Sequence, residues 1–219
     1  MLDKDMELRE TAAEYTAPRR PVPTGKISFE EFLEWTDEDT WAEWVDGEVI
    51  LLTPASWPHQ DIVLFLGGIM REFAYHRQCG TVLIAPFLIH LPEQLRRGRE
   101  PDIIFIGREQ LPRLHRTYFV GAPDVMVEIT SPESCVRDRQ VKYNEYQAAG
   151  VKEYWLIDPD RRRAEFYRLG ADGRYRLIPA DSKGVFRSEA FPGFWLKTGW
   201  LWQEPLPSVV SYLKELGVM

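Results

Sequence analysis

Pro101-Asp102-Ile103-Ile104-Phe105-Ile106, Asp124-Val125-Met126-Val127-Glu128-Ile129-Thr130-Ser131-Pro132 and Glu153-Tyr154-Trp155-Leu156-Ile157-Asp158-Pro159 are the three runs that decide the fold. Each is short and almost continuously apolar, the pattern of a strand covered on both faces. Between the second and third, Arg137 or Asp138 to Ala149 reads as a helix stopped by Gly150. Strand, helix and strand in that order, with further strands around them, predict a mixed α/β domain built on a central sheet. The first two runs each carry an acid, Asp102 and Glu128, inside apolar surroundings. A carboxylate there is costly unless a cation compensates it.

Toward the N-terminus, Ser28 before Glu31 and an apolar run is a capped helix start. Asp46-Gly47 between two apolar runs predicts a hairpin, because Gly tolerates the positive φ of a type I′ turn. From His59 to Arg77 the residues Ile62, Phe65, Leu66, Ile69, Met70 and Phe73 recur at helical spacing. Gly67-Gly68 inside that helix lowers its propensity by about 2 kcal/mol, which implies tight packing against the pair. Thr81 to Leu91 is a strand pair or one bent strand broken at Pro86, followed by an Arg-rich polar connection and, beyond Ile106, by a loop holding His115. Toward the C-terminus, Ala164 to Ile178 around Gly170-Ala171-Asp172-Gly173 is a β-hairpin, and Val209, Val210, Leu213 and Leu216 mark a short terminal helix. Residues 1–25, ending among three prolines, are expected to be a flexible lead-in, and 26–219 a single domain.

Composition narrows the function classes. With 44% hydrophobic and 28% charged residues and eight Trp, the chain has the makeup of a globular protein with a filled core. No apolar run reaches the roughly 20 residues of a membrane span. The charged start lacks the apolar centre of a secretion signal, and two cysteines without metal-site spacing read as reduced thiols, so a cytoplasmic location is expected. A net charge of −7 argues against a generic nucleic-acid binder. Arg96-Arg97, Arg99, Arg113, Arg116, Arg137, Arg139 and Arg161-Arg162-Arg163 leave room for a local basic surface, although such runs are more often a solvated face.

Alternation along the strand puts Glu128 on the side of Met126, opposite Val125, Val127 and Ile129. If its strand neighbours that of Asp102, the two carboxylates converge at one sheet edge. Converging carboxylates repel, and a hard divalent ion such as Mg²⁺ between them would keep both ionised while leaving positions for water and phosphate. Lys142 could stabilise the charge of a phosphorane. It also lies four residues after Asp138, and on helical spacing alone a surface pair with Asp138 is the simpler reading.

Glu43-Trp44-Val45-Asp46-Gly47-Glu48, His59-Gln60, Pro101-Asp102, Val127 to Pro132, Arg137-Asp138, Lys142, Tyr146 and Ala149-Gly150-Val151-Lys152-Glu153-Tyr154-Trp155-Leu156-Ile157-Asp158-Pro159 together resemble the Uma family of the PD-(D/E)XK nuclease superfamily, over roughly residues 26 to 200. The resemblance implies a restriction-endonuclease-like mixed sheet flanked by helices, here with added β-hairpins. It implies Asp102 and Glu128 as ligands of Mg²⁺ or Mn²⁺ and Lys142 as the catalytic lysine. The superfamily's usual lysine position, two residues after the second acid, is Thr130 here, and Lys142 from the following helix matches the family's replacement.

Glu43 matches the family's leading Glu-x-x-Asp-Gly and is a candidate acid near the metal, or equally a surface acid paired with a base. His59, at a helix start, is expected to cap or pack. His115 and Asp138 are read as structural, and Cys135 lacks the His-Asp set of a cysteine nucleophile. No phosphate loop, dinucleotide fingerprint, Gly-x-Ser-x-Gly or His-Glu-x-x-His occurs. The expected activity is metal-dependent hydrolysis of DNA phosphodiester bonds, with a silent nucleic-acid-binding or regulatory module as the alternative. The acidic balance leaves the basic groove to a homodimer or a protein partner.

Overall fold

The computed structural model describes residues 21–37, 39–132 and 134–218. Of the lead-in expected over residues 1–25, residues 1–20 lie outside them. The fold is mixed α+β, with two mixed sheets, a small third one, and helices against them. Helix α1 (Phe29–Trp35) opens with the expected reciprocal cap between Ser28 and Glu31. Strands β1 (Ala42–Val45) and β2 (Glu48–Leu51) form the hairpin, and Asp46 and Gly47 take φ of 53° and 93°.

Helix α2 (Trp57–Arg77) runs 21 residues. Its Ile62, Phe65, Leu66, Ile69, Met70 and Phe73 pack on one face of the larger sheet, against Ile103, Phe105, Val125, Val127 and Trp155. Burial of these side chains, worth ~2 kcal/mol each, is what holds the helix down. Gly67 is small for a reason: a Cβ there would stand 3.0 Å from Ile84 Cγ2.

The larger sheet contains β3 (Gly80–Ile84), β6 (Ile103–Gly107), β8 (Val125–Ile129), β9 (Glu153–Asp158), β10 (Arg163–Leu169) and β11 (Tyr175–Leu177), in the spatial order β11-β10-β9-β8-β6-β3. Strands β8 and β9 are parallel, and the chain between them crosses the sheet face opposite α2. That chain holds a π-helical stretch, Arg137–Lys142, continuing into α3 (Tyr143–Ala149), which Gly150 ends at φ 87°. On this second face Ile104, Ile106, Met126, Tyr154 and Leu156 gather around Tyr146. The three runs quoted at the outset are therefore adjacent central strands, with faces alternating as expected.

The smaller sheet has the order β2-β1-β5-β4-β7, where β4 is Leu88–His90, β5 is Arg97–Arg99 and β7 is Tyr118–Val120. Here the structure corrects the sequence reading twice. The Arg-rich connection contains a strand, with Gly98 paired to Trp44 on one side and His90 on the other. Its arginines turn inward because Glu43, Asp46 and Glu145 meet them. The loop carrying His115 likewise contains β7, parallel to β4. Residues Thr81 to Leu91 are two strands in two different sheets, joined around Pro86. A two-stranded sheet, β12 (Val185–Arg187) with β13 (Trp195–Lys197), and α4 (Val209–Glu215) complete the chain. Among the described residues no helix is long and apolar enough to cross a membrane.

Candidate active site

A cavity of about 600 Å³ opens between the β1–β2 hairpin, the start of α2 and the ends of β6 and β8. Asp102, Glu128, Glu43 and Lys142 all line it, together with His59, Glu100, Arg137 and Asp138.

Antiparallel pairing of Ile103 with Val127 makes Asp102 and Glu128 the next residues along their neighbouring strands. Asp102 Oδ2 accepts the Ile129 N–H at 2.6 Å, and its Oδ1 lies 3.1 Å from His59 Nε2. Glu128 Oε1 accepts from Lys142 Nζ at 2.7 Å and from the Tyr146 hydroxyl at 2.6 Å. Lys142 is buried, and its Nζ is also 3.3 Å from Glu43 Oε1. The pairing with Asp138 that helical spacing favours exists, but at 3.9 Å it is the longest of the three. The π-helical stretch buries Asp138 and Lys142 together against the sheet.

Glu43 is fully buried rather than on the surface. Its Oε2 accepts from Arg99 Nη1 at 2.6 Å, and Arg99 in turn forms a bidentate pair with Glu145 at 2.8 Å for both contacts. His59 does not cap α2, since Ser56 holds the N-cap position. Sequence reasoning missed Arg99, Glu100 and Tyr146 as members of the site and set Asp138 aside as structural. Tyr146, four residues after Lys142, is legible from helical spacing. Arg99 and Glu100 carry no comparable signal, because their strand looks like a polar connection.

Charge in the cavity is unevenly matched. Burial raises the Glu43 carboxyl, but Lys142, Arg99 and Arg137 outweigh it and hold the group at about 2. Glu100 has only Lys142 to offset it, and burial with the charge of Glu43 pushes it up to about 8. Burial also raises Glu128, aided by Asp138 and Asp102, beyond what Lys142 offsets. Burial would lower the Lys142 ammonium, yet Glu128, Glu43 and Asp138 raise it above its ordinary value, so it stays charged. Glu100 Oε2, Asp138 Oδ1 and His59 Nδ1 are buried without a hydrogen-bond partner.

No three His, Cys, Asp or Glu side chains form a ready-made metal cage among the described residues. Mg²⁺ does not need one, because it is held by one or two carboxylates and keeps several waters. Oxygen donors from neighbouring strands, acceptors without a hydrogen-bond partner beside them, and carboxyls raised by burial and then by neighbouring acids make this cavity short of positive charge. The residues present fit a divalent cation.

The Uma2 family profile, described as a putative restriction endonuclease, matches residues 29–199. The chain belongs to the Uma2 family. A crystal structure of a putative nuclease belonging to DUF820 from Anabaena variabilis superposes with a TM-score of 0.63 at 18% identity, covering 87% of this chain and 99% of that one. At that identity the likeness speaks for the fold. Comparison with curated proteins returned no match. Family and fold together make this Uma2 chain nuclease-like, as its sequence resemblance implied.

Proposed function

We propose that this Uma2 protein is a metal-dependent endonuclease that hydrolyses DNA phosphodiester bonds in the cytoplasm. The observation that carries the reading is the Lys142 ammonium, buried against Glu128 beside Asp102, on the wall of an acid-lined cavity. Asp102 and Glu128 would hold Mg²⁺ or Mn²⁺. A divalent ion supplies Lewis acidity to a phosphoryl oxygen and neutralises charge there.

The chain's own groups do the rest. Water oxygen forms the new bond to phosphorus while the bond to the leaving sugar oxygen breaks, and that oxygen ends as a hydroxyl. Negative charge grows on the phosphoryl oxygens in between. Lys142, kept protonated by its three carboxylate neighbours, offers a fixed positive charge to them. Glu43 holds that ammonium in place, and Arg99 holds Glu43. The Arg97 and Arg99 side chains are spent inside the protein. With these two arginines spent and a net charge of −7, DNA contact is assigned to the assembled groove of a homodimer, or to a protein partner.

The test is cleavage of plasmid DNA with Mg²⁺, with Mn²⁺ and with chelator. Wild type cuts only with the metals. Asp102→Ala, Glu128→Ala and Lys142→Met each lose on the order of 10²-fold or more in rate, the usual cost of removing a preorganised charge-stabilising group, and keep their circular dichroism. Wild type inert under every condition sinks the proposal. A second reading, a silent binding module, draws on Glu128 Oε1 already being engaged by Lys142 and Tyr146. It predicts salt-sensitive nucleic-acid affinity that the three substitutions leave unchanged.

A further inference from the structure

Among the described residues, the lysine and the arginine that line the cavity are Lys142 and Arg137, the last and first residues of the π-helical stretch. In an α-helix five residues advance the chain by about 500°, which would point the two side chains about 140° apart. A π-turn closes i→i+5 bonds and takes in more residues, so both ends reach the same cavity.

The two cations are in different states. Lys142 is buried, with carboxylate oxygens of Glu128 at 2.7 Å, Glu43 at 3.3 Å and Asp138 at 3.9 Å. Arg137 keeps 40% of its side chain exposed. Its ion pair among the described residues is with Asp138, where Nε stands 3.8 Å from Oδ1, too far for a hydrogen bond. Arg97 and Arg99, by contrast, each meet two carboxylates. The charge of Arg137 nonetheless reaches into the cavity, since it helps to hold the Glu43 carboxyl low.

A phosphate entering here meets Glu43, Glu100, Asp102, Glu128 and Asp138. Lys142 is already set against three of them. We propose that Arg137 grips a phosphate of the nucleic-acid strand that enters the cavity, donating from its two Nη atoms to the non-bridging oxygens, and so positions the strand beside Lys142. A guanidinium suits this task because its planar fork matches two phosphate oxygens and it does not lose its charge. The class of ligand rests on the nuclease reading above. The groove of the assembly carries the flanking DNA, and Arg137 the phosphate inside the cavity.

The experiment uses the full chain as wild type, Arg137→Met, Arg137→Lys and, as a control away from the cavity, Arg71→Met at an exposed position of α2. Circular dichroism checks folding. Binding of a short fluorescein-labelled DNA duplex is followed by anisotropy in chelator over a range of KCl, and plasmid cleavage is measured with Mg²⁺. Arg137→Met should lose on the order of tenfold in affinity at low salt, and its log–log salt slope should shrink by about 0.9 for each protomer engaged. Arg137→Lys keeps the charge and gives up the fork, so it should hold the slope and lose only a few-fold in affinity. In cleavage the Arg137→Met loss should fall on KM with kcat little changed, as for a contact made before and during the reaction alike. Arg137→Met with wild-type affinity and slope, an equal loss in Arg71→Met, or a loss confined to kcat would overturn the assignment while a cutting wild type leaves the nuclease reading standing. Wild type that neither binds nor cuts overturns both.

Discussion

Glu128 and Glu153 lie on neighbouring parallel strands, both buried, both among apolar residues, and they have opposite fates. Glu153 is saturated. Its Oε2 accepts from Trp155 Nε1 and Ser188 Oγ, and its Oε1 from Arg168 Nε and the backbone N–H groups of Glu189 and Ala190. Glu128 has Lys142 and Tyr146 on one oxygen and stands on a cavity wall, near Glu100 and Asp138, each with an orphaned oxygen. Burial alone therefore does not mark a functional acid. What separates the two is the supply of donors, and the acids short of donors are those around the cavity.

That contrast is broken most forcefully at Glu153. Glu153→Gln turns one acceptor into an amide N–H that faces donors, and removes the charge opposite Arg168. With buried donors left unmet, the loss should be about 3 kcal/mol or more. In a chain of this size that is a fall in Tm on the order of 6–12 °C. Calorimetric melting without metal checks it. A loss under about 1 kcal/mol would mean that the donors around Glu153 find other partners, and the distinction drawn here would fail.

The same pair of residues shows how far the sequence could be read. Both glutamates belong to the segments that resemble the Uma family, and nothing in the local pattern separates the saturated acid from the unsaturated one. The central strands, the hairpin at Asp46-Gly47 and the close approach at Gly67 were legible because apolar periodicity and turn chemistry are local properties. Strand β5 was not, because Arg97 and Arg99 look solvated until Glu43 and Glu145, far away in sequence, are seen to neutralise them. The contact of His59 with Asp102 was illegible for a related reason: helical spacing predicts its helix but not that its first turn abuts the start of β6. The metal-ligand and lysine candidates converge because the register of β6 on β8 and the π-helical stretch after β8 bring them together. Neither feature has a short-range sequence signal.

Glu43 lies between the extremes, since it is as buried as Glu153 and its partners are the cations of the site. Glu43→Gln should cost about 2 kcal/mol at pH 7, the range for a charged hydrogen bond lost in the interior. The cost depends on pH with a definite sign. Folding lowers the Glu43 carboxyl from an ordinary 4.5 to about 2, so between those values the unfolded chain binds the extra proton. The stabilisation is present above pH 4.5 and disappears as the pH falls through about 2. Denaturant melts of both proteins at pH 7 and pH 3 should therefore show the gap narrowing. A constant gap would mean that Glu43 acts through shape and not through its charge.

The smallest effect has the opposite sign, which makes it the sharper comparison. Glu100 has one oxygen without a partner, and burial beside Glu43 raises its carboxyl to about 8. Above pH 4.5 the unfolded chain gives up this proton more readily than the folded one, so Glu100 destabilises the metal-free fold increasingly up to pH 8. Glu100→Gln removes that penalty and should stabilise the metal-free protein at pH 8 by about 1 kcal/mol, with little gain at pH 5. Added Mn²⁺ should shrink the advantage, because the cation relieves in wild type the same crowding of negative charge. Destabilisation by Glu100→Gln at pH 8 would place Glu100 with the saturated acids, and the cavity would no longer be the place where positive charge is missing.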